Sequence, residues 1–174
     1  MTDITLTDHT LTEEQREEVR MDILAREDDF LSGLLDAASY ADEETKTIEI
    51  WRKGKFFFKF DIHPISEELQ NDIRKKYTKY AKNRRQGIKV AEELDSPSFR
   101  LSLIYNSTVE RDQAKLWDNK KVAQGLEAQG KTIINALDVI KAVLLPGEID
   151  RIMDCIDEVN GYNSEDSRID LAKN

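Results

Sequence analysis

Apolar residues in this chain fall mostly at helical spacing, with a few stretches of alternation. Near the C-terminus, Ile133, Leu137, Ile140 and Leu144 recur at steps of four, three and four, the period of one buried helix face. Pro146 and Gly147 then interrupt the run, because proline lacks the amide proton and clashes with the preceding turn. A second helix is predicted directly afterwards, with Ile149, Ile152, Met153, Ile156 and Val159 on one stripe and Gly161 as its stop. Glu148 falls in its first turn, where a carboxylate interacts well with unpaired amides and the helix dipole. The pattern over 133–162 therefore predicts a C-terminal αα-hairpin.

At the other end, Thr12 and Gln15 form a capping-box pattern that opens a helix carrying Val19, Ile23, Phe30, Leu31, Leu34, Leu35 and Ala38. Residues 1–11 before it read as disordered. One alternating stretch is 47–62, two strands joined at Lys53-Gly54. Ile48 and Ile50 share a face with Phe56, Phe58, Phe60 and Ile62, while Trp51 and Phe57 point the other way. A lone hairpin is marginal in water, so it must pack on a helix, join further strands or pair with another copy, giving a homo-oligomer. Trp51 and Phe57, left exposed together, would make a partner-binding patch; a covering helix would make them core.

Ser66 caps the next predicted helix, with Glu67 and Glu68 in its first turn, and the helix reads through 67–85. Its apolar stripe is Leu69, Ile73, Tyr77 and Tyr80, and Arg74, Lys75, Lys76, Lys79 and Lys82 fill the rest. Phe99, Leu101, Leu103 and Tyr105 alternate as in a strand, but Leu101, Ile104 and Tyr105 also suit a helix, and Ser96-Pro97 as cap and first position tips the reading to a helix. The stretch 111–131 reads as a loop with one short turn, and 163–174 as a flexible tail. The expected architecture is α+β and mainly α: four to five helices with one β-hairpin in a single domain at 12–162.

Composition changes this picture little. Of the 174 residues, 35% are charged, against about 25% in an average domain, and 39% are apolar. No apolar run approaches the roughly 20 residues that span a bilayer, and no secretory signal opens the chain, so no membrane partner is expected. The single cysteine, Cys155, excludes an internal disulfide and sits among Ile152, Met153 and Ile156 as a core thiol. Charge is segregated: residues 1–44 hold 14 acidic and 3 basic side chains, while 51–90 hold 12 basic and 4 acidic. An acidic front and a basic middle can attract each other within the chain or between copies.

Candidate chemistry is sparse. His9 and His63 are the two histidines, no Cys/His/carboxylate set has zinc spacing, and no phosphate loop, GxSxG or Cys–His pair is present. Neither an enzyme nor a cofactor or metal is expected. The basic, tyrosine-containing helix is the one signal for nucleic acid, so a small basic-helix regulator is the rival reading. The acidic net charge of −9 argues against it, since non-specific affinity grows with phosphates neutralised.

One resemblance adds to this. The helix ending in Leu144, Leu145, Pro146, Gly147, Glu148 and Ile149, followed by an acidic amphipathic helix and Asn160-Gly161-Tyr162, resembles the end of tail assembly chaperones of tailed bacteriophages. The segment from Leu116 to Gly125, and the hairpin followed by Pro-Ile-Ser-Glu-Glu within 46–69, are similar to features of the same family, so the resemblance covers 46–162. It implies a protein that binds the long tape-measure protein and keeps it soluble during tail morphogenesis in the cytoplasm of the infected bacterial host. Partner binding is then expected at Trp51, Phe57 and the six residues Leu144, Leu145, Pro146, Gly147, Glu148 and Ile149. The resemblance also implies a longer product made by a ribosomal −1 slip, whose extension would recruit the tail-tube protein. Ala172, Lys173 and Asn174 can be encoded by a slip-prone heptamer.

Overall fold

The computed structural model describes residues 12–24, 26–82, 87 and 89–162. The stretches 1–11 and 163–174, expected to be a disordered start and a tail, lie outside the described residues. In chain order come α1 (Glu13–Leu24), α2 (Glu27–Glu43), β1 (Lys46–Arg52), β2 (Lys55–Ile62), α3 (Glu67–Tyr77), β3 (Thr78–Lys82), β4 (Lys89–Leu94) and α4 (Ser96–Ser107). A short helical stretch, Glu110–Asp112, runs into a π-turn at Gln113–Trp117, and α5 (Lys120–Ala128), α6 (Ala136–Val143) and α7 (Pro146–Val159) complete the chain.

The expected four to five helices and single hairpin are thus corrected. Among the described residues there are seven helices of eight residues or more and two separate two-stranded sheets, in a mainly helical molecule. The differences trace to named residues. The first predicted helix is two, because Arg26 is extended and the carboxylates at Glu27, Asp28 and Asp29 suit a new helix start. The basic helix predicted over 67–85 stops at Tyr77. Thr78, β-branched and extended, turns its hydroxyl onto the Arg74 carbonyl (2.6 Å), and the chain continues as β3, antiparallel to β4. The predicted loop over 111–131 is mostly helical. Asn119 caps α5 through a 2.9 Å bond from the Lys121 amide, and Val122 and Leu126 pack on the core.

The C-terminal αα-hairpin is corrected as well. Asn135 and Asp138 form a capping box at the start of α6, and Gly161, at φ 83°, ends α7 with the Tyr162 amide bonded to the Asp157 carbonyl. The two helices do not lie along one another; both pack on α4, and α7 also packs on β1. Their apolar stripes face a shared core instead of each other.

That core joins Ile48, Ile50, Phe60 and Ile62 of the hairpin to Leu101 and Ile104 of α4, Trp117, Val139 and Ile140 of α6, and Ile152, Ile156 and Val159 of α7. Trp117 is the keystone the polar sequence around it concealed. Its ring meets Phe60 edge-on at 5.4 Å between centroids, and its Nε1 donates to the Thr108 hydroxyl at 3.0 Å. Ile73, Phe99 and Leu103 form a second cluster beneath α3 and α4. The hairpin is therefore not free-standing: its Ile48/Ile50 face is buried by helices, as two strands in water require.

Candidate partner-binding surface

The hairpin turn is set by Lys53 and Gly54, both at positive φ (50° and 75°), the twist that suits a two-residue connection. A bulge between Ile50 and Trp51 shifts the register there, so Trp51 lies opposite Phe56. The two rings meet edge-on with centroids 5.2 Å apart, and both are exposed. Phe57 is exposed too, but its ring is held beneath Arg52 and Lys55 at 5.2 and 5.3 Å. The structure brings Trp51 together with Phe56, not with Phe57. The result is an aromatic tip with two cations, Arg52 and Lys55, against it.

The six-residue stretch from Leu144 to Ile149 divides by direction. Leu144 is core and Ile149 is half-buried, whereas Leu145, Pro146 and Gly147 face solvent. Glu148 is 4% exposed and faces inward. Its two carboxylate oxygens accept from Arg52 Nε and Nη2, both at 2.8 Å, and one also accepts the Leu145 amide at 2.8 Å. Arg52 Nη2 donates further to the Val143 carbonyl at 2.7 Å. This fork ties the hairpin tip to the junction of α6 and α7, and the Arg52 guanidinium holds the Glu148 carboxyl below the usual carboxylate range. Sequence reading found the cap at Glu148 but not Arg52, whose neighbours mark only a turn.

A third surface lies on α1 and α2. Val19 and Met21 on α1, and Phe30, Leu31, Leu34, Leu35 and Tyr40 on α2, are exposed, Leu35 at 71%. α1 packs against α2. The 17 residues of α2 make a rod of about 25 Å, with carboxylates at both ends and no lysine or arginine between. The sequence announces this stripe by its spacing; what it does not announce is that the stripe stays uncovered.

Among the described residues no His, Cys, Asp and Glu group could hold a metal ion, and no helix is long and apolar enough to cross a membrane. The continuous basic helix behind the nucleic-acid reading is absent. Lys79 sits on a strand and pairs with Glu93 across the second sheet at 3.7 Å.

These surfaces are apolar and exposed. Residues 31–173 match the family described as phage XkdN-like tail assembly chaperone protein. The chain belongs to that family. The match takes in most of α2, the hairpin and the whole helical body, and a chaperone family suits a protein that acts by binding. The crystal structure of the protein YqbN is similar at a TM-score of 0.42 and 17% identity, covering 69% of this chain and 88% of that one. No curated protein matches.

Proposed function

We propose that this tail assembly chaperone binds the tape-measure protein in the cytoplasm of the infected bacterium and keeps it soluble until tail-tube subunits replace it. The observation that carries this reading is the uncovered apolar stripe of α2, flanked by carboxylates, in a chain of this family. Apolar faces of a long helical client aggregate because burying them releases structured water, and a stripe of matching length removes that driving force. The acidic flanks keep the complex charged and apart from its neighbours.

The aromatic tip at Trp51 and Phe57, with Phe56, is a second proposed contact, and the outward-facing Leu145, Pro146 and Gly147 are a third. Leu144 and Glu148 hold the fold that presents them. A frameshifted extension carrying the tail-tube protein remains part of the same proposal. It would act as a tether that raises the local concentration of tube subunits.

Coexpression tests the reading. The soluble yield of tape-measure protein should rise with the wild-type chain and fall back with Leu31→Asp/Leu35→Asp, two side chains already in water whose change leaves the melting temperature intact. An unchanged yield with the wild-type chain at matched expression would sink the chaperone mechanism. An intact yield with the double variant would move the contact away from α2.

A further inference from the structure

β2 and β1 treat their outer edges differently. The far end of β2 is closed by backbone: the His63 amide donates to the Ser107 carbonyl at 2.8 Å, and the Val109 amide to the Asp61 carbonyl at 2.9 Å. The Asp112 carboxylate takes the Asp61 amide at 2.8 Å. β1 pairs with β2 alone, and among the described residues no backbone hydrogen bond reaches its other edge. A row of unpaired amides and carbonyls is a template for another strand.

Beside that edge lies a groove of about 520 Å³. One wall is six consecutive residues of β1, 46–51, so the groove follows the strand edge and not one of its faces. The opposite wall is a single stripe of α7, namely Glu148, Arg151, Ile152 and Cys155. The Lys46–Glu158 pair links β1 to α7 near one end, and the Arg52–Glu148 fork does so near the other. Of the cations along it, Lys46 and Arg52 are committed to those carboxylates, whereas the exposed Arg151 acts on Glu148 through its field and makes no ion pair or hydrogen bond to any described residue.

We propose that this groove binds an extended segment of a partner protein, which adds to β1 as a third strand and places a carboxylate on Arg151. The strand edge supplies backbone hydrogen bonds, and the α7 wall at Arg151 and Cys155 meets the side chains on one face of the added strand, the arrangement by which an exposed sheet edge recognises a peptide. Six residues of strand at about 3.3 Å each give a footprint of roughly 20 Å, so the ligand is five to six residues of alternating apolar and polar character. Arg151 sets the preference for an acidic residue among the polar positions. The site is independent of the α2 stripe, and its partner is an extended chain instead of a helix.

The single cysteine reports on it, because Cys155 lines the groove. The probe is a capped hexapeptide alternating valine and threonine, with aspartate replacing each threonine in turn. At one aspartate position it should slow modification of Cys155 in the intact chain, and a fluorescent version should bind in anisotropy. Methylating alternate peptide nitrogens should abolish both effects, since it removes the strand donors. Arg151→Ala should weaken the aspartate peptide about tenfold, and Arg151→Glu should reverse the preference toward a lysine peptide, each with an unchanged melting temperature. Equal binding of the methylated peptide, indifference to Arg151, or no binding by any member of the panel at millimolar concentration overturns the proposal. So does a groove that opens to peptide only after residues 163–174 are removed, or only on dissociation of a dimer. Those outcomes assign the edge to the chain's own segment or to a second copy.

Discussion

Removing the Glu148 carboxylate tests whether the fork at the hairpin tip is structural. Glu148→Ala leaves the Leu145 amide without its side-chain acceptor, an N-terminal cap whose loss costs about 1 kcal/mol. It also leaves Arg52 with only the Val143 carbonyl. Breaking a fully buried pair costs about 3–5 kcal/mol, but the Arg52 side chain is 30% exposed and can rehydrate, so about 1–2 kcal/mol is the appropriate share. The expected total is about 2–3 kcal/mol. Urea denaturation at pH 7 followed by circular dichroism reads it directly, and a double-mutant cycle with Arg52→Ala should return a coupling of about 1–2 kcal/mol. The pH dependence supplies the sign. Arg52 lowers the folded-state pKa of Glu148 from its ordinary 4.5, so this stabilisation is present above about pH 4.5 and is lost as pH falls through the folded value. The gap between wild type and Glu148→Gln should therefore narrow between pH 6 and pH 3. A cost for Glu148→Ala of about 1 kcal/mol or less, with no coupling to Arg52, would refute the fork and leave only the cap on the Leu145 amide.

Adjacent leucines should behave oppositely. Leu144→Asp puts a charge into the core and should cost several kcal/mol, on the order of 3 or more, while Leu145→Asp should stay within about 0.5 kcal/mol in the same denaturation assay. Trp117→Phe removes the donor to Thr108 and part of a buried ring, and should cost about 2–3 kcal/mol by thermal melting, with Thr108→Val recovering part of it. Asp61 is held below its ordinary 3.8 by the Thr47 hydroxyl first and then by Arg111, so its contribution is present above about pH 4 and lost in acid. Asp61→Asn should flatten the acid limb of a stability-against-pH curve, and an unaltered limb would count against the pairing. Burial pushes the Cys155 thiol above its ordinary 9.0, so a thiol reagent at pH 8 should modify it more slowly than a free cysteine until urea unfolds the chain.

Local chemistry was legible wherever the deciding partners lay within a few residues. The Thr12–Gln15 box makes both of its bonds, at 3.0 and 3.4 Å, Ser66 caps α3, and Gly161 ends α7 in the left-handed region. The helix start near Ser96-Pro97 is also present, although the capping side chain is Asp95, which accepts the Ser98 amide at 3.2 Å. What failed depended on distant partners. β3 is a strand because β4 lies across from it, and neither alternates well enough alone to outweigh the helical reading of Tyr77 and Tyr80. The segment around Trp117 is polar enough to read as loop; it is helical because one large ring finds Phe58, Phe60 and Thr108, brought there by other parts of the chain.

The exposed apolar surfaces fail to read for a different reason. A stripe at helical spacing states that a face is apolar, and in most chains that is enough to place it inside. Whether it is covered depends on what the rest of the chain can put against it. Here the body spends its apolar faces on one another: the hairpin and α6 and α7 share one core, and α3 with α4 closes a second. α1 and α2 have chiefly each other, and two helices side by side cannot hide Leu31, Leu34 and Leu35 on the longer one. The same pattern that predicts a core residue in the body thus yields an exposed stripe at the N-terminal end. The segregated charge makes that exposure tolerable, since stripes flanked by carboxylates repel when two copies align them. Hydrophobic spacing and charge segregation, each ambiguous alone, mark an exposed apolar stripe only once the fold has shown which stripes are already used.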